Sequence, residues 1–488
     1  ISTTNTSGLY GVYTYYGNYN DLTAPELIVD GNNITLNSSS VIYGVNFEWY
    51  CNNINVNNNT VSCNSTGSTV YGVRTYYFCN NVRCNSNNVT TTTNGYYTGN
   101  YPWYFFFTNY SNSSGTYFEI KNNVSNGTSN SSSGYMYPMT CQYSYNLDCS
   151  NNSFSGTGKY YFYGYGPLYY AYNSTARNNT FNYTNTGYGS IYNYAANVYN
   201  SSTTTDTFEN NTINITNTSS GSIYNYACYY IASGSVAQNN TYNISTNYGT
   251  LYNYGYYGNG GLIKNNTFNL NSNSGTIYGM YSTNYSYYAG ATFVGNTFKL
   301  TSNYGTTYAF GGSSPGQDMF LSNVFTTNTS GSSYLIYEPS YYGVNTGTDL
   351  YFINNTFYSN ATGSTNYLIN NTGSNTGVMH LYNNIFSKSS GSNTNGVYLR
   401  DTLRFKSDYN LFYSPSDINF QLQYPNYSTN SFDAWKQTTK GDANSIFFDP
   451  GFVDPANGDV HPDPANPNSW SVQGRALHID GDTLDLNN

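Results

Sequence analysis

Apolar and polar positions alternate in short runs along most of this chain. Thr180-Phe181-Asn182-Tyr183, Thr212-Ile213-Asn214-Ile215, Thr241-Tyr242-Asn243-Ile244 and Thr267-Phe268-Asn269-Leu270 all repeat with period two. Each run is bounded by Asn, Gly or Ser. Alternation closed off by turn formers predicts β-strands. No segment carries an apolar face at 3.6-residue spacing, so helices are expected to be nearly absent.

The runs recur at a fixed distance. Asn179, Asn211, Asn240, Asn266 and Asn296 each precede a run and lie 32, 29, 26 and 30 residues apart. The same phrase extends upstream through Asn33, Asn59, Asn88, Asn123 and Asn152, and downstream through Asn323, Asn355, Asn384 and Asn410. A second phrase follows each anchor, as in Gly189-Ser190-Ile191-Tyr192-Asn193-Tyr194, Gly221-Ser222-Ile223-Tyr224-Asn225-Tyr226 and Gly249-Thr250-Leu251-Tyr252-Asn253-Tyr254. A period near 29 is too short for a four-stranded propeller blade and fits a coil of three short strands. The expected fold is all-β: a right-handed parallel β-helix solenoid of about 14 coils. Repeats should fill residues 1–412, with a loop-rich cap over 413–488. Stacked coils would place the anchor asparagines in a ladder, each side-chain amide donating to the next copy, at a turn whose left-handed backbone Asn tolerates. Phe181, Ile213, Tyr242, Phe268 and Phe298 would stack inward.

The repeated Asn-Asn-x-Phe with a following Gly-[Ser/Thr]-x-Tyr resembles the β-helix repeat of the pectate-lyase-like superfamily. The tail, with Trp435 and then Asp449-Pro450-Gly451-Phe452-Val453-Asp454-Pro455-Ala456-Asn457-Gly458-Asp459-Val460-His461, is similar to the ending of large secreted bacterial β-helix surface proteins. That resemblance implies an extracellular, secreted or cell-surface location. It also implies O-glycosylation at Asp-Thr-Leu sites such as Thr402 and Thr483. Pro462-Asp463-Pro464 departs from the family phrase, and the fold itself hosts lyases, hydrolases, adhesins and scaffolds alike.

Composition narrows the function. Only 8% of the 488 residues are charged, 62 are Tyr, and the net charge is −9. An acidic chain without a basic stripe is not built for nucleic acid. No apolar run reaches the roughly 20 residues of a membrane helix. A chain starting at Ile1 reads as a trimmed product of a longer precursor.

Candidate chemistry is sparse. Asp206 and Glu209, with Lys264 further on, are the nearest approach to a carboxyl pair, and isolated solvent-facing charges are the plainer reading. His380 has no second ligand nearby in sequence. Asp459 and His461 read better as cap packing than as an acid–base pair. Asp480, Asp482 and Asp485 could hold Ca²⁺ but lack the rest of a calcium loop, so no cofactor and no other metal is expected. Cys51 and Cys79 lie one coil apart and could form a disulfide, and Cys141 with Cys149 could close a loop. Cys228 would stay unpaired. Asn64, Asn126 and Asn173 begin N-glycosylation triplets. Tyr192/Tyr194, Tyr224/Tyr226 and Tyr252/Tyr254 share a face at period two, either as core or as an exposed aromatic strip.

These readings converge on a non-enzymatic extracellular structural protein: a surface stalk, adhesin or filament subunit. Its partners would be other copies of itself or cell-surface glycans. The alternative is a carbohydrate-active β-helix enzyme or glycan-binding module near Asp206 and Glu209 or in the tail.

Overall fold

The computed structural model describes residues 2–472 and 476, apart from 6–7, 20, 110–115, 195–204, 228–230, 255–259, 283–289, 313–317, 339–347, 375–376, 390–393 and 417. It is 57% strand and 4% helix, wound as a parallel β-solenoid of about 12 turns. The chain divides into two compact units, Ile1–Gly249 and Thr250–Asn488.

In the first unit a turn of the solenoid is three short strands, such as Thr180–Asn185, Ile191–Asn193 and Thr207–Glu209. The next turn, Thr212–Asn217, Ile223–Asn225 and Val236–Gln238, pairs with it in parallel and in register: Phe181 on Ile213, Tyr192 on Tyr224, Phe208 on Ala237. The second unit repeats the pattern, with Thr267–Ser272 under Thr297–Ser302 and Ile277–Ser282 under Thr307–Gly312.

The period-two alternation decides what is buried. Phe181, Ile213 and Tyr242 point inward and are fully covered. In the second unit Phe268, Phe298, Phe325, Phe357, Phe386 and Phe412 form one stack, with ring centroids 4.5–5.3 Å apart. Each such ring contributes roughly 1.5–3 kcal/mol by burial.

Beside this core runs the asparagine ladder. The backbone N–H of Asn179 donates to Oδ1 of Asn211 at 2.9 Å, and its Nδ2 donates to the same oxygen at 3.0 Å and to the Cys149 carbonyl at 2.9 Å. The pattern runs through Asn32, Asn59, Asn87, Asn123, Asn152, Asn179, Asn211 and Asn240 in the first unit. In the second it links Asn266, Asn296, Asn323, Asn355, Asn384 and Asn410. Two anchors therefore shift by one residue: the rungs are Asn32 and Asn87, not Asn33 and Asn88. The left-handed conformation also falls one residue earlier than expected, at Asn178 (φ 57°), Asn210 (55°) and Asn239 (56°). Of each Asn-Asn pair, the first turns the chain and the second saturates the buried backbone groups.

The next corner requires glycine. A Cβ on Gly221 would meet the Gly189 carbonyl oxygen at 2.1 Å, and one on Gly249 the Gly221 oxygen at 2.0 Å. Successive backbones approach too closely there for any side chain.

Strand pairing continues past Phe412, through Ile418–Leu422 and Ile446–Phe447. A helix, Phe432–Thr439, then covers the last coil. Phe432 lies 5.6 Å from Phe412, and the fully buried Trp435 lies 5.5 Å from Phe420 and donates to Asp442. The Asp-Pro-rich phrase forms a hairpin, Phe452–Asp454 with Asp459–Pro462, whose Phe452 and Val460 pack on Tyr358.

Candidate functional site

The same register that stacks phenylalanines inside stacks tyrosines outside. In the first unit Tyr10, Tyr43, Tyr71, Tyr101, Tyr137, Tyr163, Tyr192 and Tyr224 form one outward row, with centroids 4.4–5.3 Å apart and planes within 13° of parallel. Tyr165, Tyr194 and Tyr226 form a second, Tyr194 and Tyr226 stacking at 4.5 Å. In the second unit Tyr252, Tyr278, Tyr308, Tyr334 and Tyr367 do the same at 4.6–5.3 Å. Tyr254 stacks on Tyr252 at 5.6 Å and meets Tyr281 edge-on at 5.3 Å. The alternate positions Ile191, Asn193, Ile223 and Asn225 are buried, so the rings lie on the outer face and not in the core. They are only half-buried, because each ring covers the face of the next. Burial still pushes the phenols of Tyr163 and Tyr226 up to about 12, so both remain protonated at neutral pH.

A further aromatic line escaped sequence reasoning. Trp49, Tyr77, Phe107, Tyr143 and Tyr170 all adopt φ between 50° and 59° at the corner that ends the second strand of their coils. Their rings stack at 4.7, 5.7, 4.7 and 4.8 Å. A left-handed bulky residue costs about 1–2 kcal/mol, and here the stacking offsets it. The available signal was the aromatic pair one coil apart in Trp49-Tyr50 and Tyr77-Phe78.

Charges are organised as well. Arg74 lies nearly buried on the outer face, ion-paired to Glu48, with its guanidinium 4.2–5.8 Å from the rings of Tyr43, Tyr71, Tyr76 and Tyr104. On the third sheet Glu26, Arg83, Glu119, Lys121, Asp148 and Arg177 form a cross-coil ladder of alternating sign, at 2.9–3.3 Å per contact.

Asp206 and Glu209 do not converge. Asp206 is buried, with Oδ1 accepting from the Ser174 backbone N–H at 2.7 Å, and burial pushes its carboxyl up to about 7. Glu209 faces outward and accepts from Gln238. Asp318 occupies the corresponding corner of the second unit. It accepts from Ser282 and from the Ala291 backbone, and burial likewise pushes it up to about 7. Glu338 is fully buried, neither carboxyl oxygen has a hydrogen-bond partner among the described residues, and burial holds it well above the usual range. With Asp206 turned inward and Glu209 outward, these two do not make the facing pair that glycoside hydrolysis uses.

His380 does have a neighbour that the sequence hid: Asp349 lies 3.2 Å from Nε2, brought there by strand pairing. Burial outweighs it and holds the imidazole below its ordinary range. Asp459 and His461 are exposed, 2.6 Å apart, so they do not pack within the cap.

The expected disulfides are absent: Cys51, Cys79, Cys141 and Cys149, like Cys63 and Cys84, are free, buried thiols. The register shows their role as small core residues, with Cys84 and Cys149 in the inward column Val56, Cys84, Ile120, Cys149, Ala176. Cys141 contacts the Ser144 hydroxyl at 3.0 Å. Asn126 and Asn173 are exposed, Asn64 is half-buried and donates to Asn37, and Thr402 sits half-buried in a turn. Thr483, Cys228, Asp480, Asp482 and Asp485 lie outside the described residues. Among the described residues no three His, Cys, Asp or Glu side chains gather into a metal-sized group, and no helix is long and apolar enough to cross a membrane. No protein-family model matches the chain, and no curated protein matches it significantly.

Proposed function

We propose that this protein is a non-enzymatic extracellular structural element, a stalk, adhesin or filament subunit of the kind found among secreted bacterial β-helix surface proteins. The outward tyrosine rows carry the reading. Their ring faces are spent on one another, leaving edges and phenolic oxygens for solvent. A carbohydrate-binding platform needs bare aromatic faces for a sugar to stack on. Rows that consume their own faces instead stiffen each unit from outside, as the asparagine ladder does from within. The divergence of Asp206 and Glu209 removes the best candidate for the enzymatic alternative.

Electron microscopy of the full chain, with parallel incubation on acidic and neutral polysaccharides, tests this. Associated copies without sugar release are expected. Isolated particles would eliminate the filament form and leave the stalk. Unsaturated or reducing sugars released into solution would overturn the non-enzymatic reading.

A further inference from the structure

Not every tyrosine joins a row. Tyr188, Tyr248 and Tyr304 are 86%, 62% and 74% exposed, the first and last being the most solvent-open tyrosines among the described residues. None stacks on another ring among the described residues, unlike the comparably exposed Tyr96 and Tyr97, which pack edge to face at 4.5 Å. All three occupy one repeat position, immediately before the glycines of the tight corner: Tyr188-Gly189, Tyr248-Gly249 and Tyr304-Gly305. The intervening repeats carry serine there, Ser220-Gly221 and Ser274-Gly275. The corner itself is tightly packed, since a Cβ on Gly189 would meet the Tyr160 carbonyl at 2.0 Å and one on Gly305 the Gly275 carbonyl at 2.0 Å. Bare phenols thus project beside the tight glycine corner of alternate coils.

We propose that Tyr188, Tyr248 and Tyr304 are sites of oxidative tyrosine–tyrosine cross-linking between copies of this chain. The inference rests on the self-associating form of the structural reading and gives it a covalent chemistry. The partner ring must come from another molecule: within the first unit Tyr188 and Tyr248 are two coils apart, roughly 10 Å at ordinary strand spacing. The row tyrosines are poorer competitors, because stacking on both faces leaves each only a ring edge open and restricts how a second ring can approach. Disulfides offer no alternative link among the described cysteines, all of which are buried. Low charge, 8% of residues, lets two such surfaces approach with little repulsion. In the reaction each phenol gives one electron and one proton to hydrogen peroxide, turned over by a haem peroxidase and reduced to two waters per pair of phenols. The two phenoxyl radicals join through a carbon–carbon bond ortho to each oxygen. Each ortho hydrogen then moves to oxygen, restoring both phenols.

The test treats the full chain with peroxide and a haem peroxidase, using N-acetyltyrosine as a control for oxidant activity. Association is scored by microscopy before oxidant is added. Covalent multimers with dityrosine fluorescence are expected, and linked peptides should contain Tyr188, Tyr248 or Tyr304. The Y188F/Y248F/Y304F variant, checked for an unchanged circular-dichroism spectrum, should lose at least four-fifths of the multimer yield. Associated copies that yield no dityrosine, or links mapped to the stacked rows and unchanged in the variant, would overturn the inference and leave the structural reading standing. Copies that neither associate nor cross-link would overturn the inference together with the self-associating form on which it rests.

Discussion

Two corners of the first unit solve the same problem with opposite chemistry. At the asparagine corner the left-handed residue is Asn178, Asn210 or Asn239, for which that conformation is inexpensive, and the following Asn saturates every buried backbone group. At the aromatic corner the left-handed residue is Trp49, Tyr77 or Phe107. There coil-to-coil backbone bonds of 2.8–3.0 Å and ring stacking hold it in place, and no ladder of side-chain amides runs alongside. Where the turn is dry, polar side chains must supply partners. Where it faces water, apolar contact between coils suffices and leaves strain in the backbone. The third corner is intermediate: Ser174 and Asp206 accept backbone N–H bonds from the preceding coil, but one Asp206 oxygen stays unpaired.

The comparison can be broken in three places. Asn211→Ala should be the most damaging, because it removes the acceptor for both N–H groups of Asn179 and the donor to the Ala176 carbonyl. A loss of about 3–5 kcal/mol is expected from the buried groups left unpaired, with faster hydrogen exchange at the Asn179 and Asn211 amides. A loss below about 1 kcal/mol would mean water enters the ladder freely.

The intermediate corner should respond to pH. Burial favours protonated Asp206, so the folded state holds more protons than the unfolded chain between about pH 4 and 7. Its contribution is fully present below pH 4 and is lost as pH rises through 7, by on the order of 3 kcal/mol. Thermal melts should fall from pH 5 to pH 8, and Asp206→Asn should flatten that slope. A slope identical in the variant would place the titration elsewhere.

The smallest effect belongs to the aromatic corner. Tyr77→Asn relaxes the backbone but loses the stacks on Trp49 and Phe107, for a net loss of about 1 kcal/mol in chemical denaturation. Should the variant be more stable than the parent, stacking does not hold that corner.

Much of the fold was legible because the repeat states it fourteen times. The anchors and the inward Phe181 and Phe298 follow from period and alternation alone, whereas alternation put the tyrosines on one face without saying which face was buried. What failed were features settled by pairing between distant residues. The Asp349–His380 approach and the Glu26-to-Arg177 charge ladder depend on which residues face each other across coils, and residue spacing locates those only to within one position. The same uncertainty moved two rungs to Asn32 and Asn87. The cysteines misled because a solenoid core accepts thiols as small apolar residues, and sequence separation of one coil cannot tell that use from a bridge. The helix at Phe432–Thr439 was missed although Ser431 caps it by accepting from Ala434, a start signal readable in Ser431-Phe432-Asp433-Ala434.

The tight glycine corner also divides each coil into a part that tolerates change and a part that does not. From the ladder asparagine to that glycine the count barely moves, ten residues from Asn211 to Gly221 and eight from Asn355 to Gly363. Between the second and third strands it varies freely: thirteen residues separate Asn193 from Thr207, six separate Gly312 from Met319. Insertions and deletions in the lineage must therefore collect along one side of each coil. Foreign peptides grafted between those two strands should be displayed once per turn without disturbing the register of the rest.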